Sequence, residues 1–329
     1  MDKSLKILFM GTPQFGATVL KHLASAFEVV GVVTQPDRPA GRKNTLTPPA
    51  VKVMAQELGL PVMQVEKLRT PEVQEELRRF ANGADVFVVA SFGMILPQVV
   101  LDMPPLKCIN VHASLLPAYR GASPVAQAIL DGLAETGVTI MQMEKGLDTG
   151  PMLAKVTVAI TPDDTQPTLM DKLAEAGAAL LVATLPKWAS AEIIPEPQDS
   201  SQASHTGIIK KEDGLVNWQE SAASIERKIR AYDPWPGVYT YWTAQAPGQP
   251  LKLGRADVFH DEQLELNEAE PLSGTVLISK VKGNGERLII KTGDSYLAPR
   301  SLQMPGKKML PVEDFIRGYR NINGAHLGQ

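Results

Sequence analysis

The chain is 329 residues long, 44% apolar and 21% charged, with a formal net charge of −3 at pH 7. That length exceeds one ordinary core, so two domains are expected, and the composition is that of an ordinary soluble protein. The charge argues against a globally basic nucleic-acid binder. Cys108 is the single cysteine, which excludes an intramolecular disulfide and a cysteine-based metal cluster.

Lys3 and Lys6 lead straight into a strand-like segment with no small-residue cleavage site, so a secretory signal is not expected and the cytoplasm is the plain reading. Leu5 to Gly11 is an apolar run ending in Gly-Thr-Pro. A helical pattern follows from Gln14 to Ala24, with Val19, Leu20 and Leu23 on one side. Val29 to Thr34 is a β-branched run. The connection from Pro36 to Pro48 is longer than usual and carries Asp37-Arg38-Pro39-Ala40-Gly41-Arg42-Lys43, whose cations could meet phosphates. Ala50 to Leu58 reads as a helix, Pro61 to Val65 as a short strand and Pro71 to Ala81 as a helix. Asp85 to Ala90 and Cys108 to His112 read as buried strands, with a helix at Pro124 to Leu130. Val138 to Met143 and Met152 to Ile160 flank Gly146-Leu147-Asp148-Thr149-Gly150 and are expected to pair antiparallel. Asp164 is expected to cap a long helix carrying Leu169, Leu173, Leu180, Leu181 and Leu185. Continuous apolar runs separated by helices predict a mostly parallel sheet covered on both faces, and no run is long enough for a membrane span.

Residues 191–207 contain Pro195, Pro197 and several serines with little periodicity, and read as a linker between domains at 1–190 and 208–329. Beyond it, one helix is expected from Ser221 to Ala231. Short strands follow at Val238 to Trp242, Leu251 to Gly254, Gly274 to Ile278, Arg287 to Lys291 and Tyr296 to Ala298. That spacing predicts a small or partly open barrel of OB-like shape.

Two segments carry the chemistry. On the strand Cys108 to His112, Asn110 and His112 share one face by the period-2 rule. Asp148 sits between two glycines in a turn tight enough to bring a carboxylate close to a neighbouring strand. An amide that donates to an oxyanion, an imidazole that moves a proton and a carboxylate that orients it suit acyl transfer. Other readings are weaker. Gly11 to Gly16 lacks the Gly-x-Gly-x-x-Gly spacing, and Pro13 removes an amide that a pyrophosphate would need, so a tight turn explains it better than a dinucleotide site. Ser114 has no Gly-x-Ser-x-Gly elbow. The loop Ser114-Leu115-Leu116-Pro117 is better read as backbone that holds a planar ligand. No histidine pair has metal-ligand spacing, so no metal is expected.

Several motifs then point one way. They are Phe9-Met10-Gly11-Thr12-Pro13; Gln35-Pro36-Asp37-Arg38-Pro39-Ala40-Gly41-Arg42; Asn110-Val111-His112-Ala113-Ser114-Leu115-Leu116-Pro117 with Arg120-Gly121; Gly146-Leu147-Asp148-Thr149-Gly150; and Tyr232-Asp233-Pro234-Trp235-Pro236-Gly237. Over nearly its whole length the chain resembles the methionyl-tRNA formyltransferase family of 10-formyltetrahydrofolate-dependent transferases. The resemblance implies a Rossmann-like formyltransferase domain and a smaller OB-like domain that helps hold initiator methionyl-tRNA. It implies 10-formyltetrahydrofolate as formyl donor, Asn110, His112 and Asp148 as the catalytic set, and Phe92, Gly93, Met94, Ile95, Leu96 and Pro97 as the loop lining a pterin pocket. Arg38, Arg42 and Lys43 are expected to meet the tRNA. A monomer is expected. Lys43-Asn44 departs from the longer lysine-rich run that relatives often carry. Two rival readings are a folate-dependent transferase with a small amine acceptor, which would leave residues 208–329 surplus, and a non-catalytic RNA-binding protein.

Overall fold

The computed structural model describes residues 5–40, 45–265, 271–283 and 285–328. It divides into two compact units. One is drawn from residues up to 125, 134–161 and 168–207, and the other from 126–133, 162–167 and 208 onward.

In the first unit the elements are β1 (Lys6–Gly11), α1 (Gln14–Ala26), β2 (Glu28–Thr34), β3 (Arg38–Ala40), β4 (Thr45–Thr47), α2 (Ala50–Glu57), β5 (Val62–Gln64), α3 (Pro71–Phe80), β6 (Val86–Ala90), α4 (Gln98–Leu101), β7 (Cys108–His112) and β8 (Arg120–Gly121). After α5 (Pro124–Leu130), most of which belongs to the second unit, come β9 (Glu135–Gln142), β10 (Met152–Ala159), α6 (Gln166–Ala189) and β11 (His205–Thr206). Seven strands form one sheet in the order β10-β9-β7-β6-β1-β2-β5. The five from β7 to β5 run parallel; β9 joins β7, and β10 joins β9, antiparallel. Ile7, Leu8, Phe9 and Met10 are all fully buried, and the residues of β6 and β7 are all buried, because helices cover both faces. The chain works outward from β1 to β5 and then returns to lay β6 on the other side of β1. The reversal makes the carboxyl ends of β1 and β6 a topological switch point, the usual ligand position in an open α/β sheet. The helices carry ordinary end signals. The Thr70 hydroxyl caps α3 by accepting from Val73 N–H, Pro71 follows it, and Arg78 and Arg79 occupy the last turn.

Two features depart from the sequence reading. The long connection after β2 is a β-hairpin, with β3 and β4 antiparallel and Arg38 opposite Thr47. Residues 191–207, expected to be a linker, lie along the first unit as a strap. Glu196 exchanges two backbone hydrogen bonds with Met152, at 2.8 and 2.9 Å. Further on, β11 pairs in parallel with β8. Isolated bridges and side-chain contacts have no period, so nothing in the sequence pattern marks them.

The second unit contains α7 (Ala222–Ala231), capped by the Ser221 hydroxyl. Then come β12 (Val238–Tyr241), β13 (Pro250–Leu253), β14 (Ala256–Phe259), β15 (Val276–Val281), β16 (Gly285–Lys291), β17 (Tyr296–Pro299), β18 (Ser301–Gln303), β19 (Leu310–Pro311) and α8 (Val312–Gly318). They form two four-stranded antiparallel sheets, β12-β13-β18-β19 and β14-β17-β16-β15. The chain crosses between the sheets twice, from β13 to β14 and from β17 to β18. Arg300 N–H donates to the Arg255 carbonyl where the two crossings meet. Such corners, where strands change sheet, are compatible with an OB-like barrel.

Candidate active site

On β7, Asn110 is 9% and His112 6% exposed, and they face the same way. Neighbouring strands fix their height, with Asn110 opposite Val89 of β6 and Met141 of β9, and His112 opposite Thr139. The His112 Nε2 lies 3.0 Å from the Tyr119 carbonyl oxygen. A carbonyl can only accept, so Nε2 carries the hydrogen, and in the neutral ring Nδ1 is left as the acceptor. Nδ1 faces Asp148 Oδ2 at 3.7 Å. That is beyond a hydrogen bond but within ion-pair reach once the ring is charged. The orientation expected from the carboxylate is therefore supplied by the backbone at Tyr119, a residue held at φ 58°.

The turn that carries Asp148 is sterically constrained. Asp148 has φ 53°. A Cβ on Gly150 would fall 1.9 Å from the Gln142 carbonyl oxygen, so only glycine fits there. Asp148 Oδ2 accepts from Gly121 N–H at 2.9 Å. Gln198 Nε2 donates to the carbonyls of both Asp148 and Gly150, at 2.8 and 2.7 Å. Gln198 Oε1 in turn accepts from Arg120 Nε and Nη2, at 3.0 and 2.8 Å. The Asn110 amide has no hydrogen-bond partner among the described residues, which leaves its N–H donors open.

The loop after β6 is anchored rather than loose. Phe92 and Leu96 are buried in the core cluster with Leu8, Met10 and Val89. The Phe92 carbonyl accepts from Thr12 Oγ1 at 2.9 Å and from Gln35 Nε2 at 3.0 Å. Gly93 has φ 75°, while Ile95 is 71% exposed beside half-buried Met94 and Pro97. In the loop after β7, the Ser114 hydroxyl donates to the Ala118 carbonyl at 2.7 Å, so it braces its own turn. Thr139 Oγ1 accepts from Leu116 N–H and donates to the Ser114 carbonyl. Leu116 is buried against Met141 and Met152, while Leu115 and Pro117 are half-buried. Arg38 is exposed on β3; Arg42 and Lys43 lie outside the described residues. Cys108 plays no part here. Burial pushes its thiol up to about 12, and Sγ donates to the carbonyls of Val100 and Leu101. No group of three acidic, histidine or cysteine side chains among the described residues could hold a metal ion.

The formyl transferase family profile matches residues 5–185, and its C-terminal-domain profile matches 208–320. A methionyl-tRNA formyltransferase from Geotalea daltonii is 44% identical over 325 residues, covering 98% of each chain. One from Dehalococcoides mccartyi is 44% identical over 330 residues, covering 98% of this chain and 99% of its own. The chain belongs to the methionyl-tRNA formyltransferase family. The sugar 3N-formyltransferase WlaRD, solved with dTDP and 5-N-formyl-THF, shares the formyltransferase fold. It has a TM-score of 0.62 at 16% identity over 92% of this chain and 99% of its own. HypX from Aquifex aeolicus, solved with tetrahydrofolic acid, gives 0.59 at 16% identity over 94% of this chain and 46% of that one. The three candidate side chains read from the sequence are brought together, with Asn110 and His112 on β7 and Asp148 facing the ring of His112. Sequence reasoning did not find the backbone of Tyr119 and Gly121, or Gln198, that hold two of them; Arg120-Gly121 was visible as a motif, whereas Gln198 sat in the expected linker.

Proposed function

We propose that the chain transfers the formyl group of 10-formyltetrahydrofolate to the α-amino group of methionine on initiator methionyl-tRNA, for translation initiation. The observation that carries this is the open amide of Asn110 two residues along β7 from His112, with Asp148 facing the ring at Nδ1. The folate supplies an activated formyl group and a nitrogen able to leave. Its flat ring would lie along the backbone of residues 92–97 and 114–117, where Gly93 allows close approach and Met94 and Ile95 give an apolar edge.

The methionine amine must be neutral to attack, and an unperturbed α-amino group titrates at about 8. As the new C–N bond forms, negative charge gathers on the formyl oxygen, and Asn110 donates to it. One such donor is worth roughly 10²- to 10³-fold in rate. The amine then gives up a proton as the bond to the folate nitrogen breaks and that nitrogen gains one. His112 Nδ1 can take and return this proton without turning, because Nε2 stays bonded to Tyr119. Asp148 stands across from that nitrogen to pair with the charged ring.

Arg38, with Arg42 and Lys43, would grip the acceptor end of the tRNA, and residues 208–329 would hold phosphates further off. The enzyme would act as a monomer in the cytoplasm, where both substrates are dissolved. The test is a transfer assay comparing charged initiator tRNA, a glycinamide ribonucleotide and an amino-sugar nucleotide as acceptors. Formylation of the tRNA alone is expected. Faster turnover of a small acceptor would overturn the proposal.

A further inference from the structure

We infer that Gln198 is a positioning residue for this transfer, holding the turn that carries Asp148 in register with His112. The inference rests on the roles given above to Asp148 and His112. The turn from Gly146 to Gly150 lies outside the sheet ladder between β9 and β10, and its central residue sits at φ 53°, a left-handed conformation uncommon for a residue with a side chain, which its surroundings here hold in place.

Two contacts do so. Gly121 N–H fixes the carboxylate from one side. One side-chain nitrogen, Gln198 Nε2, fixes the backbone from the other by donating to the carbonyls of Asp148 and Gly150. The amide can sit only one way round. Arg120 Nε and Nη2 are pure donors, so the atom facing them must be Gln198 Oε1, which turns the NH₂ group toward the turn.

Arg120 is 4% exposed, so the guanidinium that sets the amide is itself buried. Its chain neighbours complete a ring of contacts: Tyr119 holds the imidazole through its carbonyl, and Gly121 holds the carboxylate through its N–H. The strap is pinned on both sides of Gln198. Glu196 pairs with Met152, the Ser204 hydroxyl accepts from Tyr119 N–H at 2.8 Å, and β11 pairs with β8. Both reactive groups thus take their position from residues 119–121, and Gln198 links that tripeptide to the Asp148 turn. Effects of this kind are large, since a misplacement of about 1 Å costs on the order of 100-fold in rate.

The test uses the full-length enzyme and the substitution Gln198→Glu. Glutamate keeps the length and still accepts from Arg120, but an ionised carboxylate has no hydrogen to give the two carbonyls. Single-turnover rates at saturating methionyl-tRNA and formyl donor, KM for the tRNA and Kd for the folate are measured in wild type and in Q198E. The same is done for D148N and the double variant. Q198E is expected to lower kcat roughly 10- to 100-fold, with KM and Kd changed less than about twofold. In the D148N background, Q198E is expected to cost less than about twofold more, because the group it positions is already gone. A near-normal kcat in Q198E overturns the inference, and so does an equal loss in both backgrounds, which is what a general brace would give. A D148N enzyme with normal turnover would instead overturn the role of Asp148 itself. If Q198E fails to fold by circular dichroism, the apolar isostere Q198M replaces it in the cycle, with the same losses expected and the same results overturning the inference.

Discussion

Asn110 and His112 were legible as candidates because a strand alternates its faces, which puts two polar residues at i and i+2 of a buried apolar run on the same side. Their partners were not legible to the same degree. A backbone carbonyl such as that of Tyr119 carries no sequence signature, and the hydrogen bond it accepts decides which ring nitrogen is free. Replacing Asn110 by alanine is expected to reduce turnover by about 10²- to 10³-fold while folate affinity stays within a factor of about two. Equal losses in both, measured by single-turnover kinetics and folate titration, would place Asn110 in binding instead. Cys108 offers a check on the core beside the site. A buried thiol raised to about 12 stays protonated and unreactive at pH 8. Alkylation by iodoacetamide at pH 8 is therefore expected only after denaturation, with mass spectrometry reading the adduct. Rapid modification of the native enzyme would contradict the burial of β7.

At the scale of elements, strands β1, β6 and β7 announce themselves as uninterrupted apolar runs, and α1, α3 and α7 by period and cap. Strand β14 did not, because Asp257 breaks its short run and is matched in the fold by Arg300, whose Nε and Nη2 meet the carboxylate across the sheet. The hairpin of β3 and β4 hid in a stretch read as a loop, since its pairing spans three residues a side. Its root is fixed by Asp37, whose carboxylate accepts from Lys52 Nζ at 2.8 Å and from Gln64 Nε2 at 2.7 Å. Gln64 also donates to the Gln35 carbonyl, and the Gln35 side chain reaches Phe92, so the arm and the loop after β6 share one chain of hydrogen bonds. Hydrogen bonds from Lys52 and then Gln64 hold the Asp37 carboxyl below its ordinary range. A depressed carboxylate contributes its stability above the unfolded value near 3.9 and loses it only as pH falls through the lower folded value. Lys52→Met is expected to raise KM for methionyl-tRNA about threefold, the worth of one partly exposed ion pair, and to leave folate affinity unchanged. The same comparison at pH 5 should give the same ratio, because Asp37 is still ionised there. A ratio that collapses by pH 5 would mean the lock is not the carboxylate.

For the whole molecule, a net charge of −3 leaves tRNA binding to local cations rather than to overall charge. Each phosphate contact adds about 0.7 to 0.9 to the slope of log affinity against log salt. Arg38→Ala is expected to flatten that slope by about one contact without touching folate affinity; an unchanged slope would remove Arg38 from the interface. The strap also bears on where the chain can be divided. A division after Ser190 separates Glu196, Gln198, Ser204 and β11 from the residues they hold, although every motif of the site lies upstream of it. A cut after Gly207 keeps them. A chain ending at Gly207 is therefore expected to bind folate like the full protein and to use charged tRNA poorly. One ending at Ser190 is expected to lose, in addition, about 10- to 100-fold in the residual transfer rate. Folate titration and single-turnover transfer on the two chains separate these effects. Equal residual rates would mean that residues 191–207 only connect the units, as their composition alone suggests.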